Sequence, residues 1–200
     1  MDNVQLRLAK PEDAEQLLAI YRPYVESPDS RLSNVSFEYV APSVAEFRER
    51  IENISATFPY LLIEENSVAV GYAYAHPYIT RFAYQWSAEV TIYLAPEGKH
   101  KGYGTLLYRA LDELLLLQGI ANLYACIAGD NEASIGFHKA QGYYINGTCS
   151  QCAYKNNMWL DMLWMEKKLP HPHKPELIKS IKDIPKARVL QVLQTVLEEV

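Results

Sequence analysis

The sequence predicts an α+β fold, in which helices flank a mixed α/β sheet. Segments whose apolar residues recur at every second position occur between segments of helical period, in the order β-α-α-β-β-β-α-β-α-β-β. Because hairpins and crossovers occur together in this order, it fits neither a regular β-α alternation nor an all-β plan. The chain has 200 residues, of which 49% are hydrophobic, so one domain can bury a core without disulfides or metals.

Local signals mark the elements of the first half of the chain. Pro11 suits the first turn of a helix, and Ser43 with Glu46 has the pattern of a capping box, so both positions indicate helix starts. Asn66 and Ser67 lie between two alternating segments and predict a hairpin turn. The predicted elements are a strand at 4–9, a helix from 11 to near 27, a loop over 27–42 with a partial strand at 35–40, a helix at 43–54, and strands at 60–65, 68–76 and 86–94.

The second half predicts further helices and strands, followed by a tail. A stripe of leucines follows Gly102 at helical spacing, and Gly142 ends the next helix. After Leu169 the chain is rich in proline and then amphipathic. We therefore predict a domain at 1–169 and an extension at 170–200 that serves packing or dimerisation. The predicted elements are helices at 102–118, 131–141 and 187–200, and strands at 122–128, 143–149 and 158–167.

Composition excludes several classes of protein. A net charge of −5 opposes nucleic-acid binding, which needs a dense basic surface. No apolar run reaches the roughly 18–20 residues of a membrane span, and the first residues lack the pattern of a signal peptide. Cys126, Cys149 and Cys152 form no metal-ligand pattern and fit reduced thiols. We therefore predict a cytoplasmic protein with no metal, no membrane contact and no nucleic-acid partner.

The segment 94–106 predicts an anion site. A strand ends, a basic loop containing Gly102 and Gly104 follows, and a helix begins within that loop. Backbone N–H groups at a helix start bind anions, and the basic residues at 99–101 add positive charge. No lysine follows either glycine as a Walker A loop requires, and Leu107 stands where a dinucleotide fingerprint has its third glycine. From these residues alone, a glycine-containing loop with solvated lysines is an equal alternative.

Two motifs resemble those of the GCN5-related N-acetyltransferases (GNAT). Residues 99–104 match the pyrophosphate-binding pattern Q/R/K-x-x-G-x-G/A. Residues 131–143 match N-x-x-A/S-x-x-F/L-Y/H-x-x-x-G-F/Y, with the small residue offset by one. Segments 83–89, 137–143 and 154–161 further resemble the phosphinothricin and methionine sulfoximine acetyltransferases. The resemblance implies the GNAT fold, with a central, mostly antiparallel sheet.

The resemblance covers residues 4–169 and implies acetyl-CoA as the co-substrate. In such enzymes the pantetheine arm lies along a splayed strand, here 91–94, and the pyrophosphate follows at the basic turn. A backbone N–H of Tyr93 or Leu94 would hold the oxyanion. Asn131 would bind the cofactor or cap its own helix. The implied cofactor-binding residues are Ile92, Tyr93, Leu94, Lys99, His100, Lys101, Gly102, Tyr103, Gly104, Thr105 and Asn131.

Two side chains carry the implied catalysis. Glu89 lies one strand before the basic turn, in an aromatic setting that could raise its pKa. In the resembled branch this glutamate removes the proton of the amine, often through water; the alternative is a surface carboxylate on a strand. His138 takes the place of the tyrosine that acts as an acid in the wider family. It would protonate the thiolate, contact the cofactor or only pack.

The acceptor pocket is implied by residues from three segments. Arg81 aligns with an arginine of the branch and would pair with an α-carboxylate. The residues that would wall the pocket are Phe37, Tyr84, Lys155 and Trp159. The alternative for these four is packing and loop solvation. Glu38 stands where the branch tends to have a basic residue, and Leu160 stands where it has a histidine. Herbicide-type substrates therefore do not follow from the resemblance.

Together these residues predict an acetyl-CoA-dependent N-acetyltransferase acting on the amine of a small amino acid or amino-acid analogue. Because no serine or cysteine stands beside a base at the turn, transfer would be direct within a ternary complex. The alternatives are another amine, such as a polyamine, an antibiotic or a protein N-terminus, or an acyl-CoA sensor without turnover. A homodimer is an expectation from the resemblance alone.

Overall fold

The computed structural model describes residues 3–198, in which seven strands form one sheet. The strands are β1 (Val4–Leu8), β2 (Tyr60–Glu65), β3 (Val68–Pro77), β4 (Ser87–Leu94), β5 (Asn122–Ala128), β6 (Tyr144–Lys155) and β7 (Met158–Lys168). Their order across the sheet is β1-β2-β3-β4-β5-β7-β6. β4 and β5 run parallel, and all other neighbours are antiparallel. The predicted mixed, mostly antiparallel sheet is confirmed.

Seven helices accompany the sheet within the same residues. They are α1 (Ala14–Tyr21), α2 (Pro23–Glu26), α3 (Ser30–Ser33), α4 (Val44–Ser55), α5 (Tyr103–Gln118), α6 (Glu132–Ala140) and α7 (Lys186–Glu198). The capping box before α4 is present, because Ser43 Oγ accepts from the Glu46 amide at 3.3 Å and the Ser43 amide donates to the Glu46 carboxylate at 2.7 Å. The predicted hairpin turn is also present, with positive φ at Asn66 and Ser67.

Three predicted elements differ from the structure. The first helix is divided into α1 and α2 at Pro23, which cannot donate a backbone hydrogen bond. Residues 35–40 form no strand, since several backbone carbonyls of this region bond to the Lys155 side chain instead of to a strand. β6 runs on to residue 155, because its pairing with β7 resumes after an irregularity around Gln151, whose φ is 47°.

Each face of the sheet buries its own apolar core. One face packs against α1 and α4 and contains Tyr60 and Tyr72, which stack with ring centroids 5.7 Å apart. Tyr93 of β4 packs against the same group, 5.6 Å from Tyr72. The abundance of tyrosine in the sequence, 15 residues, is thus partly explained by a buried aromatic cluster. The other face packs against α5 and α7.

The C-terminal tail belongs to the second core. Val189 and Leu193 of α7 are buried in the cluster that contains α5. The Gln118 amide donates to the carbonyls of Thr57 and Lys179, both at 2.7 Å, so the segment before α7 is bonded to the rest of the fold. The last two positions of the predicted tail helix, 199–200, lie outside the described residues. Between residues 3 and 198 no helix is both long and apolar enough to cross a membrane.

Candidate active site

The sheet opens between β4 and β5. The two strands pair from Ser87 to Glu89 of β4 and then separate. β4 continues to Leu94 along β3, while β5 continues along β7. In the described part of the chain, the gap-facing backbone of β4 beyond Glu89 therefore has no strand partner. Its N–H and C=O groups can pair with an extended ligand, as the pantetheine arm requires.

The basic turn after β4 has the geometry expected of an anion site at the start of α5. Gly102 precedes the helix in a left-handed conformation (φ 80°), and a Cβ at this position would meet nothing within 4 Å. The backbone is therefore open to the cleft, and the 16-residue α5 adds the positive end of its dipole. Lys99 adds charge at the same cleft, with Nζ 5.4 Å from the centroid of the Tyr24 ring.

Lys101 was predicted to bind the cofactor, but in the structure its side chain pairs with a carboxylate of the sheet. Its Nζ lies 2.9 and 2.7 Å from the two carboxylate oxygens of Glu65, the last residue of β2. The Tyr103 hydroxyl donates to the same carboxylate at 2.8 Å. Because this carboxylate already neutralises the ammonium group, Lys101 ties the turn to the sheet and does not line the cleft.

The cleft beside the turn has a volume of about 630 Å³. An anion site at one end and an open strand edge along one side fit the pyrophosphate and the pantetheine of acetyl-CoA. Asn131 lines the cleft and also caps α6, where its Oδ1 accepts from the Ser134 amide at 3.1 Å. The predicted cofactor residues that line the cleft are Ile92, Tyr93, Leu94, Lys99, His100, Gly102, Tyr103, Gly104, Thr105 and Asn131.

A second cavity of about 240 Å³ adjoins the cleft where β4 and β5 separate. Glu89 lines this smaller cavity, and its side chain is 20% exposed. The residues that line both spaces are Val35, Ile92, Tyr93, Asn131 and Ser134. A group bound in the smaller cavity would therefore lie beside both Glu89 and the end of a chain bound in the cleft.

The surroundings of Glu89 strengthen it as a proton acceptor. Loss of hydration raises the pKa of its carboxyl, and His76, when it is protonated, partly opposes this increase. His76 lies directly opposite on β3, with Nε2 3.9 Å from Glu89 Oε1. A raised pKa strengthens the carboxylate as a proton acceptor, provided that the pH stays above it.

His138 also lines the smaller cavity, but in a form that does not suit the predicted acid. Its side chain is 3% exposed, and burial lowers its pKa to about 4. The ring is therefore neutral at pH 7. Nδ1 lies 2.8 Å from the Ser134 carbonyl, which assigns the proton to Nδ1, so Nε2 accepts from the Tyr108 hydroxyl at 2.9 Å. Tyr108 is itself buried at the cavity wall.

Of the predicted acceptor residues, Phe37 lines the smaller cavity. Arg81 and Tyr84 lie on an exposed turn before β4. Trp159 is 61% exposed and packs edge-on against Tyr154, with centroids 5.2 Å apart. These three do not line the cavity, because the turn and the β6–β7 hairpin direct them to the surface. Lys155 does not line it either, since backbone carbonyls surround its ammonium group.

Several cavity residues were not predicted from the sequence. His76 had a usable signal, because it alternates with Tyr72 and Tyr74 along β3 and so shares their side of the sheet. Tyr108 follows Gly104 by one helical turn, which places both on one side of α5. Cys126 lines the cavity as well, and loss of hydration raises the pKa of its thiol to about 12. This thiol is neutral and does not suit a nucleophile.

Comparison with known proteins agrees with this geometry. The sequence profile of the acetyltransferase (GNAT) domain matches residues 6–164. A phosphinothricin N-acetyltransferase of Streptomyces viridochromogenes is 29% identical over 181 residues, which cover 90% of this chain and 96% of that protein.

Two crystal structures extend the comparison. A phosphinothricin acetyltransferase from Sinorhizobium meliloti in complex with acetyl-CoA has a TM-score of 0.79 and 31% identity, covering 86% of this chain and 93% of that one. A ribosomal-protein-alanine N-acetyltransferase from Brucella melitensis has a TM-score of 0.76 and 31% identity, covering 82% of this chain and 99% of that one.

The matched region includes the gap between β4 and β5, the turn that starts α5 and Glu89. The resemblance drawn from the two sequence motifs is thereby confirmed, and so is the expected class of enzyme. The chain is an N-acetyltransferase, and it belongs to the GNAT acetyltransferase family.

Proposed function

We propose that this enzyme acetylates the amine of a small amino acid or amino-acid analogue by direct transfer from acetyl-CoA. The observation that carries the proposal is the position of Glu89 in a cavity of about 240 Å³ that adjoins the larger cleft. A cavity of this size suits one small amine. The similarity to phosphinothricin N-acetyltransferases supports an acceptor of the amino-acid type.

In this proposal each part of the site has one task. Acetyl-CoA supplies the acetyl group, and the open edge of β4 orients its pantetheine arm. Glu89 accepts the proton that the amine loses on attack, directly or through water. Transfer needs no acyl-enzyme, which agrees with the neutral thiol of Cys126. Tyr108 and His138 form a neutral hydrogen-bonded pair at the wall, in which the Tyr108 hydroxyl donates its one proton to His138 Nε2, so the departing thiolate takes its proton from water and not from this pair.

Turnover on a panel of amines tests the acceptor class. Thioester loss from acetyl-CoA would be followed with methionine sulfoximine, phosphinothricin, the standard amino acids, polyamines and short peptides. We expect the highest kcat/KM with amino acids or their analogues. Preference for polyamines would contradict the proposal. Binding of acetyl-CoA without turnover on any amine would favour a sensor.

A protein N-terminus is the second candidate acceptor. The similarity to the ribosomal-protein-alanine N-acetyltransferase from Brucella melitensis favours it. Peptides that begin with alanine, compared with free alanine in the same panel, separate the two candidates. A peptide whose kcat/KM exceeds that of every free amino acid would establish the second.

Gly104→Val is expected to weaken acetyl-CoA binding by about tenfold, which corresponds to about 1.4 kcal/mol. A Cβ at Gly104 would lie 3.1 Å from the Phe137 ring and 3.6 Å from Ile92, so the added methyl groups would enter the cleft. Titration calorimetry with acetyl-CoA measures the change. Gly136→Val is the matched control, because a Cβ at Gly136 meets no atom within 4 Å. Equal loss in both variants would contradict the steric explanation.

His76→Gln is expected to move the acidic limb of the kcat/KM profile to higher pH, by up to about one unit. Protonated His76 lowers the pKa of Glu89, so its removal lets the burial effect act unopposed. More of the base is then protonated at a given low pH, and activity falls earlier as the pH decreases. His171→Gln is the control, because both histidines have Nδ1 3.1 Å from the carbonyl of a following proline and His171 lies in the exposed tail. An unchanged limb would show that His76 carries no charge beside Glu89.

We also propose a cytoplasmic location, which the three free cysteines support. Cell fractionation tests it. The homodimer stays a prediction that light scattering can test.

A further inference from the structure

The turn between β6 and β7 contacts the loop that walls the acceptor cavity. We define the acceptor loop as residues 33–38 and the clasp as residues 154–158. Val35, Ser36 and Phe37 of the acceptor loop line the smaller cavity. The clasp lies more than 115 positions further along the chain, so its contacts with the loop are purely tertiary.

Lys155 is the centre of the clasp. Its side chain is buried, with the residue 3% exposed, yet within residues 3–198 no carboxylate lies within bonding distance of Nζ. Instead four backbone carbonyls surround Nζ and share its three N–H donors. These are Val25 at 3.2 Å, Ser33 at 2.5 Å, Ser36 at 2.8 Å and Glu38 at 2.7 Å. Three of the four carbonyls belong to the acceptor loop.

The acceptor loop needs such partners. Between the end of α3 and the start of α4 it has no strand or helix that would satisfy its carbonyl groups. Buried backbone carbonyls without a partner destabilise a fold, and a buried ammonium group without acceptors does so more strongly. The loop carbonyls and the Lys155 ammonium group therefore satisfy each other's need for a hydrogen-bond partner. The Glu38 carboxylate is bound instead by Arg50 at 2.8 Å, so it does not draw the Lys155 ammonium away from the carbonyls.

Asn156 adds a second connection. Its Nδ2 donates to Ser33 Oγ at 3.0 Å and to Asn34 Oδ1 at 2.7 Å. Asn34 in turn donates to Met158 Sδ at 3.3 Å, and the Tyr39 hydroxyl donates to the Tyr154 carbonyl just beyond the loop. Four of the five residues of the clasp thus hold one irregular segment from several sides, and Asn157 is the one that does not.

We propose that the clasp determines the shape of the acceptor cavity, with Lys155 and Asn156 as positioning residues that set the KM for the amine. This inference rests on the proposed function, because it assigns Val35, Ser36 and Phe37 to the acceptor side. Neither Lys155 nor Asn156 touches the cavity. Their loss should therefore release the loop without removing a group from the site.

Asn156→Gly compared with Asn157→Gly is the sharpest test. Both asparagines are exposed and have positive φ, 50° and 60°, which glycine adopts without strain. Both substitutions also increase the freedom of the unfolded chain alike. Of these two asparagines in the described chain, only Asn156 donates hydrogen bonds from its side chain to the acceptor loop. The pair therefore isolates the loop contact.

We expect Asn156→Gly to raise the KM for the best amine of the panel by about fivefold to tenfold. The kcat should change little, and the affinity for acetyl-CoA should change less than the KM, since its anion site lies at the start of α5. Asn157→Gly should behave as the wild-type enzyme. Lys155→Met should show a larger rise in KM, with thermal unfolding measured alongside. If Lys155→Met does not fold, the comparison of Asn156→Gly with Asn157→Gly still tests whether the clasp sets the KM for the amine.

Hydrogen exchange of residues 33–38 provides a readout that does not depend on turnover. We expect faster exchange of this segment in Asn156→Gly than in Asn157→Gly or the wild type. Equal exchange in all three would overturn the proposal, and so would faster exchange with an unchanged KM. If the wild type acetylates none of the amines, the proposed function fails, and the exchange comparison alone decides whether the clasp holds the loop.

Discussion

Replacing Glu89 with glutamine is expected to lower kcat by about 10²–10⁴-fold. Glutamine keeps the size of the side chain and its position in the smaller cavity, but it cannot accept the proton that the amine loses. The affinity for acetyl-CoA should stay unchanged, because Glu89 lines the smaller cavity and not the cofactor cleft. Steady-state turnover and calorimetric titration of acetyl-CoA separate these two quantities.

Glu15→Gln is a suitable control, since this glutamate is exposed on α1. It should leave both quantities unchanged. An unchanged kcat in Glu89→Gln would refute the proposed mechanism while leaving the family membership intact. Loss of acetyl-CoA binding together with kcat would instead indicate that Glu89 shapes the cleft.

Replacing Leu193 with alanine is expected to lower the free energy of unfolding by about 2–5 kcal/mol. Leu193 lies on α7, is 3% exposed and packs in the core beside α5. Truncation leaves a cavity in the core that α7 shares with α5. Urea denaturation measures the loss. Leu190→Ala on the same helix is the matched control, because Leu190 is 48% exposed and its truncation should change stability by less than about 0.5 kcal/mol.

This pair also tests the predicted division of the chain at residue 169. If 170–200 were an independent extension, Leu193→Ala would hardly affect the unfolding of residues 1–169. A single transition with a lowered midpoint would show that the tail unfolds with the rest. Two transitions, or an equal effect of both substitutions, would favour the predicted extension.

Elements with local signals were predictable from the sequence. The capping box of Ser43 and Glu46 starts α4, and the pair Asn66 and Ser67 forms the turn between β2 and β3. These signals depend on residues within a few positions of one another, so neighbouring side chains are enough to produce them. The segment 35–40 has apolar residues suited to a strand, but it pairs with no strand, and contacts with the distant Lys155 hold its backbone instead.

The cofactor side of the site was predictable for the same reason. Gly102, Gly104 and the start of α5 are contiguous, so one short motif contains the anion site. The partners of charged side chains, both inside this motif and elsewhere in the chain, were less predictable. Lys101 bonds to Glu65, which is 36 positions away, and Lys155 bonds to carbonyls more than 115 positions away. A lysine in a sequence has no fixed partner, and its long flexible side chain takes whichever acceptor the fold brings near.

By itself the sequence determined the order of strands and helices, the glycine-containing basic turn and, through the resemblance, the family and Glu89 as the proposed base. Only the tertiary structure decided how Glu89 meets His76, why His138 is neutral and which residues wall the acceptor cavity. The alternation of apolar and polar residues and the helical period depend only on residues that are close together in the chain, so both can be identified from the sequence. A pKa or a cavity depends on burial and on groups from separate strands, which come together only when the sheet closes around them.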